Sequence, residues 1–143
     1  MRFLVLAASL VTAPALGQEA PAQPCARFAA FAPTKAPDLQ GLWDFVMDAG
    51  PQLSRGYMAI GPIDGGWAGS LTPYSNNSLA IRSVTVDGTA VKLVVASREA
   101  DVTFTGQLVE GGTMMCGTVA YHGGRIFPMI ARHRPHLVYR PAG

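Results

Sequence analysis

The side chains that could carry out catalysis are few, and their order along the chain does not match a hydrolase. All three histidines (His122, His133 and His136) fall in the last 22 residues. Nucleophilic hydrolysis needs a Ser or Cys beside a His that a carboxylate orients. No Ser lies in the G-x-S-x-G turn that exposes a catalytic Ser, since residues 66–70 read GWAGS. We therefore expect no enzymatic activity and no catalytic residue, although a site assembled from separate strands stays open.

The carboxylates and histidines also predict no metal or cofactor site. Asp44 and Asp48 are four residues apart, which in a strand puts them on one face but too far apart to share a proton. His133 and His136 form H-x-x-H, but two ligands are too few for structural zinc, and Pro135 opposes the helix that would align them. We expect neither a metal nor a cofactor.

The end of the sequence is basic. No acid follows Glu110, whereas four arginines do: Arg125, Arg132, Arg134 and Arg140. Two interpretations stay open for this region. It either contacts an anion, such as a lipid headgroup, or forms a solvated terminus.

The first residues have the pattern of an export signal. In residues 1–17 an Arg precedes an apolar run and a small-residue site, as in cleaved secretory segments. The run is about 14 residues long, shorter than the roughly 20 needed to span a bilayer. We expect cleavage before Gln18, a periplasmic or secreted protein, and no transmembrane segment afterwards. Eleven Lys and Arg against nine Asp and Glu create no strong field for nucleic acid.

The two cysteines and the region around the first of them suggest an attached leader. Cys25 and Cys116 are the only cysteines in the sequence, and an oxidising compartment favours a disulfide between them. The alternative is two buried free thiols. Residues 18–38 hold four prolines and many alanines, which predicts an extended leader. Phe28 and Phe31, three residues apart, are placed to plug an opening.

From Gln40 onward, short alternating runs are separated by glycines. An apolar residue, an acid and a glycine recur every 23 residues, at positions 63–65, 86–88 and 109–111. Asp-Gly supplies the positive φ that a tight hairpin requires. The strands predicted between the turns are residues 42–47, 56–61, 67–72, 79–86, 90–97, 102–109, 114–121 and 125–132.

Eight short antiparallel strands predict an all-β, up-and-down barrel, because closure removes the two edge strands. The barrel is expected over residues 39–134, followed by a tail of residues 135–143. Ile81 and Val84 are an odd number of positions apart, which predicts a bulge near Arg82. Pro128 predicts a bulge or a weakly paired position in the last strand.

Alternation within the strands assigns the two faces of the barrel wall. Phe104 and Met115 fall on the apolar, inward set, whereas Cys116 falls on the opposite set. A disulfide from Cys116 to Cys25 would therefore pin the leader along the outside of the barrel or across one end.

Two stretches resemble known families. Gly41-Leu42-Trp43, at the start of the first strand, resembles the G-x-W signature of the lipocalin and calycin barrels. In those families the Trp closes one end and an Arg of the last strand lies over it, so the resemblance implies a structural contact between Trp43 and Arg132. Residues 79–132 are similar to a hairpin-repeat β domain of exported bacterial proteins, which has no known function and no assigned catalytic residues.

The aromatic and Met side chains either fill the barrel or line a cavity in it. Side chains just fill a barrel of eight strands, which leaves room for one small ligand at most. We favour a filled interior, with any pocket being small, apolar and open at one end. The residues expected to bind a ligand in such a pocket are Trp43, Tyr57, Trp67, Phe104 and Tyr121.

The sequence thus predicts a non-enzymatic binding module. It would hold a small apolar molecule or lipid, or act as an accessory to a partner protein. The alternative is a periplasmic protease inhibitor that presents residues 18–38 to an enzyme cleft. The sequence specifies neither the ligand, nor the partner, nor the oligomeric state.

Overall fold

A computed structural model describes residues 25–135 of the chain. In it, eight antiparallel strands form a closed barrel in sequence order, with β8 pairing back onto β1. The strands are β1 Gly41–Asp48, β2 Leu53–Ile63, β3 Gly66–Pro73, β4 Leu79–Asp87, β5 Ala90–Val95, β6 Val102–Val109, β7 Met114–Ala120 and β8 Ile126–His133. The predicted fold class is confirmed, and every predicted strand overlaps its observed counterpart. The predicted signal peptide, residues 18–24 of the predicted leader and residues 136–143 of the predicted tail lie outside the described residues.

Alternation along each strand separates an apolar inner face from a more polar outer face. In β5, for example, Val91, Leu93 and Val95 are buried, while Ala90 and Lys92 are exposed. The inward-facing side chains of the strands together form the main core inside the barrel. β3 contributes only partly buried side chains, and β7 is buried on both faces where Met114 and Cys116 pack in an outer cluster. Within residues 25–135, no helix has the length and apolar character needed to cross a membrane.

The predicted bulge near Arg82 is confirmed. Pairing between β4 and β5 shifts register between Ile81 and Ser83, so that Ile81 and Val84 are both buried. The side chain of Arg82 points outward, and its Nε donates a hydrogen bond to Asp101 Oδ1 at 3.1 Å. The bulge therefore corrects the phase of the strand so that its second half also faces the core.

Pro128 leaves β8 regular. It pairs with Thr118 of β7 without a register shift, whereas the ladder between β1 and β8 ends at Met129. Proline has no N–H to donate, and a position beyond the end of one ladder does not need one. The predicted irregularity thus takes the form of one-sided pairing, and the strand keeps its alternation.

The two ends of the barrel are built differently. At one, the covered end, lie the three turns with the repeated acid and glycine, in which Gly65, Gly88 and Gly111 have φ of +77°, +59° and +66°. These positive angles are those that the motif predicts. At the other, the open end, lie the loops of residues 49–52, 74–78, 96–101 and 121–125.

Residues 25–40, the covering segment, pass along the outer wall and then over the covered end. Cys25 is joined to Cys116 by a disulfide, which confirms the predicted pairing. Phe28 packs on a small outer cluster that contains Val109, Met114 and Cys116. Phe31 packs instead against the main core.

Two hydrogen bonds also hold the covering segment to the barrel. The backbone N–H of Glu110 donates to the carbonyl oxygen of Ala29 at 2.9 Å. In return, the N–H of Ala29 donates to Glu110 Oε1, also at 2.9 Å. The third acid of the repeated motif therefore anchors this segment.

Candidate ligand-binding cavity

The interior of the barrel is packed in one half and hollow in the other. Near the covered end, buried side chains fill the core, among them Leu39, Trp43, Ile60, Leu108 and Met115. Towards the open end, a cavity of about 160 Å³ remains. The favoured expectation of a filled interior is therefore wrong for this half of the barrel. The cavity is nevertheless small, apolar and open at one end, as any pocket was expected to be.

Two of the aromatic rings that line the cavity lie against inward-facing glycines of the wall. A methyl group built on Gly56 would lie 2.8 Å from Phe45 Cε1, and one built on Gly106 would lie 2.6 Å from Phe104 Cζ. Each ring thus occupies the space that a side chain would take at an inward-facing glycine. The centre of the barrel towards the open end is left free of these two rings as a result.

The lining of the cavity is apolar in its depth and polar at its mouth. Aromatic, Met and aliphatic side chains form the walls, including Phe45, Met58, Phe104, Val119 and Met129. Uncharged polar side chains stand towards the open end: Ser54, Ser75, Asn76, Ser97 and Tyr121. None of the described residues that line the cavity carries a charge.

A hydrogen bond fixes one side of the mouth. Ser97 Oγ lies 2.8 Å from His122 Nε2, which joins the loop after β5 to the turn after β7. The backbone N–H of Glu99 donates to Ser97 Oγ at 3.4 Å. The ring of His122 packs against that of Tyr121, with 4.8 Å between the centroids.

This pair of Ser97 and His122 differs from a hydrolytic triad. Glu99 Oε2 is 4.0 Å from His122 Nε2, the same nitrogen that faces Ser97. In a triad, the carboxylate binds the opposite nitrogen, Nδ1, and so orients the ring towards the nucleophile. The geometry here suits a structural clasp between two loops.

Trp43 closes the bottom of the packed half. Its side chain is fully buried, and its Nε1–H donates to the carbonyl oxygen of Leu39 at 2.9 Å. Gly41, the first residue of the G-x-W motif, has φ of +132°, and a methyl group there would meet His133 Nε2 at 2.6 Å. The spacing of Gly41 and Trp43 thus allows a histidine ring to pack beside the Trp.

The predicted contact between Trp43 and Arg132 is wrong by one residue. Trp43 pairs with His133 in the β1–β8 ladder, and their ring centroids are 4.7 Å apart. Arg132 pairs with Asp44 and lies exposed on the outer face, because successive residues of a strand point to opposite sides.

The structure brings two of the five predicted ligand-binding residues to the cavity. Phe104 lies in its wall and Tyr121 at its mouth. Trp43 lies beneath it, and Trp67 lies at the covered end beside Gly66 and the covering segment. Tyr57 lies on the outer face between the inward-facing Gly56 and Met58, with its ring 6.4 Å from that of Tyr74.

The serines and Asn76 of the mouth, which sequence reasoning missed, stand at or beside loops that only the closed barrel brings together.

A charged pair fastens the outside of the β1–β8 junction. Arg134 Nε donates to Asp44 Oδ2 at 2.8 Å, and Arg134 Nη2 donates to Asp44 Oδ1 at 2.6 Å. The hydrogen bond from Arg134 holds the pKa of Asp44 below its ordinary value; partial desolvation opposes this shift, and the positive charge of Arg134 reinforces it. The Arg134 guanidinium also lies 5.6 Å from the Tyr57 ring centroid.

Among the described residues, the titratable side chains form no group that suits a metal. Between residues 25 and 135, no three His, Cys, Asp or Glu side chains are grouped so that they could hold a metal ion. His136, the second histidine of H-x-x-H, lies outside the described residues.

The cavity and its mouth are the features of this barrel that bear most directly on function. A scan against models of protein families and a search of curated proteins found no match to this sequence.

Proposed function

We propose that this protein is a non-enzymatic binding module that holds one small apolar molecule inside its barrel. The observation that carries the proposal is the cavity of about 160 Å³, which has apolar walls and opens at one end. Ligand sites in proteins are typically concave and apolar, with a few polar groups that fix orientation. The interior of an eight-stranded barrel has the size for one such ligand.

The arrangement of the mouth supports binding over catalysis. Ser97 and Glu99 both approach Nε2 of His122, whereas in a hydrolytic triad the carboxylate binds the opposite nitrogen, Nδ1, and orients the ring as a general base. The hydrogen bond between Ser97 and His122 instead joins the two loops at one side of the mouth.

An exported, lipocalin-like role agrees with three features. The barrel has eight strands, a buried Trp43 of the G-x-W motif at its covered end, and a disulfide of the kind that persists in oxidising compartments. We propose a periplasmic or secreted location on this basis. The protease-inhibitor alternative has less support, because Cys25, Ala29 and Phe31 attach the covering segment to the barrel.

A cavity-filling substitution tests the proposal. Val119 lines the cavity and is buried, while its neighbour Thr118 faces outward on the same strand. Val119→Phe should occupy the cavity and weaken binding of toluene or 4-ethylphenol by about tenfold or more, a loss of about 1.4 kcal/mol. Thr118→Phe, the matched control, should leave binding unchanged. Ligand-observed NMR and calorimetry on the mature chain measure both.

The outcome is decisive in each direction. Binding by the wild type and by Thr118→Phe, but not by a folded Val119→Phe, supports an interior site. Equal binding by all three places the ligand elsewhere and refutes the proposal, as does a wild type that binds neither compound. Should Val119→Phe fail to fold, Val95→Phe on β5 replaces it, since Val95 also lines the cavity.

A further inference from the structure

We infer that the cavity selects a compact, uncharged aromatic molecule that carries one oxygen acceptor or hydroxyl group, such as a simple phenol or aryl ketone. This inference rests on the proposed function, because it names the class of ligand for the same cavity. Three features carry it: the volume of the cavity, the chemistry of its walls, and the position of charge around its mouth.

The volume limits the ligand to a single ring with a short substituent. An engineered protein cavity of about 150 Å³ holds benzene, whereas pockets for drug-sized ligands are roughly 300 to 1,000 Å³. At about 160 Å³, this cavity is close to the first value. A single ring with a short substituent that extends towards the open end therefore fits, and a long-chain lipid or a sterol does not.

The walls favour an aromatic ring over an alkyl chain of equal size. Three thioethers face the cavity, from Met47, Met58 and Met129, together with the rings of Phe45 and Phe104. A sulfur near the edge of an aromatic ring is favourable, and so are edge-to-face contacts between rings. A flat ring gains both kinds of contact in this cavity.

The placement of charge excludes an anionic ligand from the interior. Arg98 and Arg125 line a shallow outer groove beyond Tyr121, and neither lines the cavity. The Arg125 guanidinium lies 5.6 Å from the Tyr121 ring centroid and 5.7 Å from that of Phe127, and its Nε donates to the carbonyl oxygen of His122 at 3.4 Å. A carboxylate drawn inside the cavity would thus be desolvated with no cation among the lining residues to pair with, which is unfavourable.

The mouth offers uncharged hydrogen-bonding partners for the polar end of the ligand. Asn76 Oδ1 accepts a hydrogen bond from the backbone N–H of Asn77 at 2.8 Å, which turns the amide NH₂ of Asn76 towards other acceptors. Asn76 lines the cavity, whereas Asn77 lines only the outer groove. An oxygen atom on the ligand is the natural acceptor for Asn76.

The test is a matched series of ligands on the full mature chain, measured by calorimetry at neutral pH. The series is 4-ethylphenol, ethylbenzene, 4-ethylbenzoate and palmitate. We expect 4-ethylphenol to bind most tightly and ethylbenzene to bind several-fold more weakly. The affinity for 4-ethylbenzoate should be lower than that for 4-ethylphenol by about tenfold or more. Palmitate should not displace 4-ethylphenol. Asn76→Ala should weaken binding of 4-ethylphenol and leave that of ethylbenzene unchanged, while Asn77→Ala should change neither.

The possible failures can be told apart. Binding of 4-ethylbenzoate as tight as that of 4-ethylphenol, or displacement by palmitate, overturns the inferred ligand class and leaves an interior binding site standing. An equal effect of Asn76→Ala on 4-ethylphenol and ethylbenzene overturns the role of the amide. Absence of binding by every compound removes the proposed function itself.

Discussion

Loss of the link between Cys25 and Cys116 is expected to reduce the free energy of unfolding by about 4 to 5 kcal/mol. The disulfide joins residues 91 positions apart. In the chain-entropy model, opening a loop of this length gives the unfolded chain additional conformational entropy worth about 4.6 kcal/mol at 25 °C. The native barrel should survive, because Phe31 still packs on the core and Glu110 still bonds to Ala29. The effect therefore acts mainly through the unfolded state.

Urea unfolding of the oxidised protein and of a Cys25→Ala/Cys116→Ala variant measures this difference. For a domain of this size, the denaturant slope is about 1 to 3 kcal/mol per molar urea, so the midpoint should fall by about 2 M. Phe28→Ala with the disulfide intact is the control, because it removes packing on the outer cluster but keeps the link. A midpoint shift below about 0.5 M in the double variant would refute the reasoning from chain entropy. Loss of β-structure in the double variant without urea would show instead that the native barrel depends on the link.

Two further predictions concern the wall and the strand junction. Gly106→Ala should destabilise the barrel by about 1 to 3 kcal/mol and weaken ligand binding, because the new methyl overlaps the Cys116 carbonyl oxygen and pushes Phe104 into the lumen. Gly61→Ala, where a methyl enters open space, should change little in the same urea and binding measurements; equal stability of both variants would contradict this account. For the pair of Asp44 and Arg134, a carboxyl pKa that folding lowers adds stability above the unfolded pKa, and this stability is lost as pH falls through the folded pKa. The advantage of the wild type over Asp44→Asn should thus be present at neutral pH and begin to decline as pH falls below about 4, the ordinary pKa of an Asp carboxyl. An advantage that grows on acidification would argue against the pair.

The fold could be predicted because its signals are local. Each turn carries a glycine or a polar loop, and strands such as β5 alternate. The parity of Ile81 and Val84 shows where a bulge must correct the phase. The Cys25–Cys116 link follows from composition, because the chain has no other cysteine.

The errors arose where the outcome depends on phase or on three-dimensional placement. Residue type places Tyr57 among the expected ligand-binding aromatics, but it lies next to the inward-facing Met58, and adjacent residues of a strand face opposite ways. The lipocalin resemblance implies Arg132 as the contact of Trp43, whereas the regular pairing through Pro128 puts His133 beside Trp43. The sequence does not decide between a filled and a hollow barrel, because a cavity depends on where the Phe45 and Phe104 rings settle over glycines of the wall.

The junction between β1 and β8 also constrains how the chain reaches its native state. The Trp43–His133 ring contact and the Asp44–Arg134 ion pair each join residues about 90 positions apart in sequence. Contacts of such high sequence separation slow folding, since loop closure must precede any gain from them. Until the last strand arrives, the growing sheet has two unpaired edges that can associate with other chains. This protein is thus most prone to aggregate before the barrel closes. A chain truncated within β8 could not close the barrel and would keep both edges unpaired.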